Sequence, residues 1–205
     1  MSQAKARGTI VSRAVRFLRS LEDDARAILP GNLHRYLTEQ VMADAWYSEK
    51  DLLGLIRGCV ELIDLPKALA LKDIGKWTAR EPYALAYPDL AKQPEPQEFI
   101  KRLEQLWHHN HDSGSLSFLV DGPVKGSVQV EGFEYPSQEM CTIYGAYYVE
   151  MSKLAGWGEV NLTRHDCVLQ GEPVCRWDLG WTVELPADSL PRTAEKASSP
   201  VPSSR

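Results

Sequence analysis

Apolar residues recur at helical spacing through the first half of the chain. Ile10, Ala14, Phe17, Leu18, Leu21, Ala25 and Ile28 form one stripe. That stripe predicts an amphipathic helix over 9–29, ended by Pro30-Gly31. A short helix is expected around 33–42. Ser48 is placed to cap a third, with Asp51 three residues on in a capping-box-like arrangement. On that helix Leu52, Leu55, Ile56, Cys59 and Ile63 form the buried stripe, where Cys59 reads as a small core hydrophobe. A further helix covers 66–80. Pro82, Pro88, Pro94 and Pro96 punctuate a loop-rich connection, and a helix follows from Pro96 to Asn110.

The period changes after Gly114. Leu116–Val120 and Ser127–Phe133 read as strands joined by a turn at Asp121-Gly122-Pro123. Ser137 can cap a helix over 138–155 that Gly156 ends. Strands are expected over 159–169 and 174–185, with Gly171 at the hairpin tip. The fold class is therefore α/β of the α+β kind: a helical half (9–113), then β-β-α-β-β (114–185) with an antiparallel sheet packed on helices. Residues 1–185 read as a single ligand-binding-type domain. Residues 186–205, rich in Ser, Pro and charge, read as a disordered tail.

Composition narrows the function. The 205 residues carry a net charge of −5, which argues against nucleic acid as a partner. Lys5, Arg7, Arg13, Arg16 and Arg19 all precede Glu22; the plain assignment is a solvated basic face on the first helix, the sharper one a surface for an acidic partner or membrane. No apolar run suits a signal peptide or a membrane span, so a cytoplasmic location is expected. In a reducing cytosol, four cysteines argue against a disulfide framework.

Three of those cysteines form the main chemical signal. Cys141 lies in the first turn of the helix 138–155, while Cys167 and Cys175 flank the tip of the last hairpin. Zinc takes thiolate and imidazole ligands in a tetrahedron, which a helix start facing a hairpin can supply. The free N–H groups of that helix start are expected to lower the Cys141 pKa. His165 stands two residues before Cys167, so strand alternation puts both on one face and makes it the best fourth ligand. Three buried cysteines without metal, or a Cys167–Cys175 disulfide, are the alternatives.

Gly171-Glu172-Pro173-Val174-Cys175-Arg176-Trp177, with Cys167 before it and Cys141 upstream, resembles the end of a 4-vinyl reductase domain. The chain over about residues 8–183 resembles more closely a myxobacterial paralogous family of unknown function. Gly132-Phe133, Pro136-Ser137, Leu154-Ala155-Gly156 and Trp181 fit that pattern too. The resemblance implies the nitric-oxide-signalling and Golgi-transport ligand-binding superfamily, with a small α/β fold around an apolar cavity. That superfamily takes in sensors of aromatic-degradation regulators, nitric-oxide haem sensors and vesicle-tethering subunits. In the aromatic sensors the positions of Cys141, Cys167 and Cys175 bind zinc, with a glutamate three residues before the second cysteine. Here that position is Arg164. The Tyr-x-Ser-x-Arg signature of the haem sensors is missing, so no haem is expected.

The remaining candidates are fewer. His108, His109, His111 and Asp112 invite a metal reading, but imidazoles at a helix C-terminus also suit the dipole. Tyr144, Tyr148 and Met151 follow Cys141 at helical spacing, and Trp107, Phe118 and Phe133 could close a pocket with the tyrosines, although such a stripe equally makes a core. No Ser-His-Asp set, catalytic carboxylate pair or phosphate-cradling loop is discernible. Cys167 with His165 is poorly separated for proton transfer. Enzymatic activity is thus suggested only by the name of the related domain. The expected function is a sensory module holding a small apolar molecule, with zinc tying the hairpin to the helix and a protein partner reading the change. The alternative is a dimeric scaffold of a signalling or trafficking complex without a ligand. A homodimer is expected either way.

Overall fold

The computed structural model describes residues 4–85 and 96–182, the side chains of 81–85 and 96–98 excepted. The tail 186–205, Pro88 and Pro94 lie outside the described residues. Strand β1 (Lys5–Arg7) opens the chain, followed by α1 (Gly8–Ser20), α2 (Glu22–Ile28), a 3-10 turn (Gly31–Leu33) and α3 (Arg35–Thr38). Then come β2 (Trp46–Ser48), α4 (Glu49–Leu62), α5 (Lys67–Leu85) and α6 (Pro96–Asn110). The second half is β3 (Ser115–Val120), β4 (Lys125–Glu131), α7 (Gln138–Leu154), β5 (Val160–Asp166) and β6 (Cys175–Trp181). The expected α+β class and the β-β-α-β-β order hold.

The four long strands form one antiparallel sheet in the order β3-β4-β6-β5. Alternation sets its faces: along β6 every second residue from Cys175 to Trp181 is buried. Helices α6 and α7 cover that face, with Phe99, Tyr148, Met151 and Trp177 deep in the core. A second core gathers α1 to α4 and is joined to the first through Met140, Ile143 and Tyr144 of α7. Helix α7 is thus the shared wall. Gly75 lets α5 lie close on it: a Cβ there would fall 2.4 Å from the Ile143 carbonyl oxygen.

Several expectations need correction. The single helix over 9–29 is two. Arg19 lies in the last turn of α1 and Glu22, Asp23 and Asp24 open α2, so charges suited to the dipoles flank the break on both sides, with Leu21 outside helical geometry between them. The helix expected at 33–42 shrinks to the 3-10 turn and the four residues of α3. Ser48 does cap α4, accepting from Lys50 N–H at 3.2 Å. Asp51, however, binds Arg35 Nη2 and Tyr36 Oη, both at 2.8 Å, rather than closing a capping box.

Helix α5 continues past Pro82. Proline has no N–H, so the Thr78 carbonyl one turn earlier loses its helical partner; Arg13 Nη1 donates to it at 3.1 Å instead. The basic residues of the first segment are largely tethers rather than a solvated face. Arg19 donates to the carbonyls of Tyr36 and Glu39, and Arg7 to those of Asp44 and His109. The β1–β2 ribbon had no signal in the periodicity, because each strand is three residues long.

Candidate functional site

A cavity of about 840 Å³ lies between α1, α4, α5, α6 and α7. Its wall is mainly apolar, with Ile10, Phe17, Ile56, Ile74, Leu103 and Ile143 contributing. Such a volume falls in the range of small-molecule sites. Trp107, Tyr144 and Tyr148 line it. Phe118 and Phe133 do not. Phe118 is core, edge-on to Trp157 at 5.8 Å. Phe133 packs on Trp107 and Tyr144 and lines a second cavity of about 180 Å³, beside Cys141 and Cys175. Tyr144 and Met140 line both.

The three cysteines meet beneath the second cavity. Their sulfurs all lie within 4.8 Å of one another, and all three residues are buried. Local structure explains the meeting. Ser137 caps α7 by accepting from Met140 N–H at 3.1 Å, which fixes Cys141 in the first turn. Cys167 directly follows β5 with its side chain fully buried, and the chain turns through a 3-10 turn (Val168–Gln170) and Gly171, whose φ of 92° suits glycine. Cys175 then opens β6 with its sulfur 4.0 Å from that of Cys141. All four cysteines are free thiols.

His165 is not part of this group. The β5–β6 register shifts between Arg164 and Asp166, and that bulge breaks the two-residue alternation on which the expectation relied. The His165 side chain is 60% exposed and bonds Asp166 Oδ1 through Nδ1 at 3.1 Å. That carboxylate raises its pKa. Arg164 does not approach the sulfurs as a donor either; its Nη1 ties β5 to Gln138 Oε1 at 3.2 Å. The expected lowering of the Cys141 pKa is also overturned. Burial pushes that thiol well up, and the neighbouring Cys175 and Cys167 add to the effect. Cys175 is raised by burial as well, against an opposing hydrogen bond from the Val168 backbone.

Of the histidine cluster, His108 and His109 are exposed, and the Asp112 carboxylate accepts from Lys5 N–H at 2.5 Å. His111 separates from them and is buried in the cavity wall. Its Nδ1 lies 2.5 Å from Glu49 Oε1, and its Nε2 lies 3.2 Å from Tyr144 Oη. Strand β1 builds this arrangement: Ala6 bridges to His111, while the Ala4 carbonyl accepts from Glu49 N–H at 2.9 Å. Glu49 was missed in the sequence. The available signal was an acid on the buried stripe of α4, three, four and seven residues before Leu52, Leu53 and Ile56.

No family model matches the chain, and no curated protein does either. Solved structures do. An H-NOX protein from S. oneidensis, in the Fe(II)NO ligation state, is 8% identical, covers 86% of this chain and 99% of its own, and has a TM-score of 0.63. The fold is that of the H-NOX domains. The Fe(II) unliganded H-NOX protein from K. algicida is similar at 10% identity, 87% and 98% coverage and a TM-score of 0.62. A mutant of T. tengcongensis H-NOX is 12% identical, with 88% and 99% coverage and a TM-score of 0.60. At these identities the neighbours show the fold alone. The closer likeness to a 4-vinyl reductase domain rests on the C-terminal motif alone.

Another similar structure was solved to probe the function of heme distortion in the H-NOX family, so the cavity must be tested for that group. An axial ligand needs a free donor facing the iron. His111 is engaged on both ring nitrogens. Cys59 donates to the Ala14 carbonyl at 3.7 Å, and burial pushes its thiol up to about 12, which leaves no thiolate. His109 is exposed at the rim. As placed, the histidines and the cysteine of the wall offer no free, buried donor to an iron porphyrin, whereas the Tyr148 hydroxyl lines the cavity, buried and without a partner. The sulfur triangle, by contrast, fits zinc: bonds of about 2.3 Å in a tetrahedron place sulfurs about 3.8 Å apart. Among the described residues this is the one cluster of metal-ligating side chains, and no helix there is long and apolar enough to cross a membrane.

Proposed function

We propose that this chain is a cytosolic sensory module that holds a small, largely apolar organic molecule in the 840 Å³ cavity. The single observation that carries this reading is the position of that cavity. It lies against α7, the helix shared by both cores, so an occupant touches the element that also bears Cys141 and packs on the sheet. Occupation would shift α7 against α5 and reach a protein partner through the outer helices. The H-NOX-like fold supports a ligand-binding role by analogy, which is a weaker warrant than the cavity.

Zinc held by Cys141, Cys167 and Cys175 pins the β5–β6 hairpin to α7. With His165 turned away, the fourth position is open to water or another small donor from the adjoining 180 Å³ cavity. The ion is structural in this reading. Native mass spectrometry of freshly purified protein tests both parts in one spectrum. A mass excess of one zinc plus one organic molecule per chain is expected. Apo protein under reducing, chelator-free conditions removes the zinc, and a chain that neither co-purifies with nor takes up apolar molecules removes the sensor. A ligand-free dimer would then favour the scaffold alternative.

A further inference from the structure

The buried Glu49–His111–Tyr144 chain is not used by the metal and is not needed to close the apolar wall. The Glu49 and His111 side chains are 1% and 6% exposed. A lone buried charge is costly, so such groups balance one another. The Glu49 contact takes up His111 Nδ1, which leaves Nε2 facing Tyr144. With the imidazole hydrogen on Nε2, that N–H donates to Tyr144 Oη across the 3.2 Å contact and leaves the phenol hydrogen free to point elsewhere. Burial, and next the charge of Glu49, push the Tyr144 pKa well above its ordinary value, so the phenol keeps its hydrogen. That O–H has no acceptor among the described residues, and the Tyr144 side chain lines the cavity.

The geometry points to Tyr144 Oη as a hydrogen-bond donor reserved for the cavity's occupant, which is therefore an apolar molecule bearing an acceptor oxygen of the carbonyl type. His111 and Glu49 are positioning residues: they fix the Tyr144 oxygen and turn its hydrogen outward. The inference rests on the cavity reading above.

Two isosteric probes separate the claims, 2-adamantanone and 2-methyleneadamantane, which differ only in C=O against C=CH₂. Both are expected to bind the full-length protein. In Tyr144→Phe the ketone-over-alkene selectivity should fall about five- to tenfold, the effect of one hydrogen bond, with the alkene's affinity unchanged. On the wild-type protein the infrared carbonyl stretch of the bound ketone should move to lower wavenumber, a readout that needs no variant to fold. An unshifted stretch, or selectivity that survives Tyr144→Phe, overturns the acceptor-oxygen inference while leaving the cavity reading intact. Failure of both probes to bind wild type overturns the cavity reading and this inference with it.

Discussion

Cys141 and Cys175 hold their sulfurs 4.0 Å apart, although 34 positions separate them in the chain. One sits on a capped helix and the other opens a strand, so the distance is set by the packing of α7 on β6 and not by a local turn. Cys167 completes the triangle. The first prediction follows from that geometry. In zinc-containing, reducing buffer, wild type binds one zinc per chain, measured by metal analysis. Cys141→Ser and Cys175→Ser each lose stoichiometric zinc. His165→Ala keeps it, and its Tm changes by less than about 2 °C, as expected for an exposed side chain.

His165 also shows where the sequence stopped being legible. The helix cap at Ser137, the turn at Gly171 and the three cysteines are short-range signals, and the structure brings those cysteines together. The bulge between Arg164 and Asp166 has no such signal, and one shifted residue is enough to put Cys167 in the core while His165 stays on the exposed face with Asn161 and Thr163. The Glu49–His111 contact spans 62 positions and depends on β1, a strand too short to show a period. The split at Leu21 was readable in charge, since Arg19 and Glu22 mark an end and a start, but the apolar stripe ran through it. Local chemistry was readable, while the placing of distant side chains against one another was not.

Filling the cavity should abolish binding without unfolding the chain. Ile74 is a half-buried α5 residue in the cavity wall. Ile74→Trp places an indole in space that is otherwise available to an occupant. Adamantanone affinity, measured by calorimetry, should fall more than about tenfold, which corresponds to about 1.4 kcal/mol. The Tm should stay within about 4 °C of wild type, because the added atoms enter a cavity rather than a packed core.

The opposite outcome is expected one residue on. At Gly75 an added Cβ meets the Ile143 carbonyl oxygen at 2.4 Å and the Ala146 Cβ at 2.9 Å. Neither atom is the end of a flexible side chain, so α5 must move off α7. Gly75→Ala should destabilise by about 1–3 kcal/mol despite its better helix propensity. Denaturant titration with an unchanged m-value would show that stability, not compactness, has changed. Because the cavity lies between the same helices, this variant should also bind the adamantane probes more weakly.

Glu139 gives the fold an acid-side limit. It stands in the first turn of α7 and takes hydrogen bonds from Lys67 Nζ at 3.1 Å and Arg57 Nε at 3.2 Å, tying α7 to α5 and α4. Burial alone would raise its pKa. Its own backbone N–H and the two cations outweigh that and bring it down from 4.5 to about 2. A carboxyl lowered on folding stabilises the native state fully above its unfolded pKa and loses that contribution as the pH falls through the folded value. The contribution of Glu139 is therefore whole above about pH 4.5 and disappears toward about pH 2. Lys67 and Arg57 are 65% and 55% exposed, so solvent screening holds the contribution to about 1–2 kcal/mol. Glu139→Gln should lower stability at pH 7 by that amount. Between pH 4.5 and pH 2 the gap between variant and wild type should close, as followed by urea titration at each pH; a gap that stays constant down to pH 2 would show that the carboxylate charge is not its source.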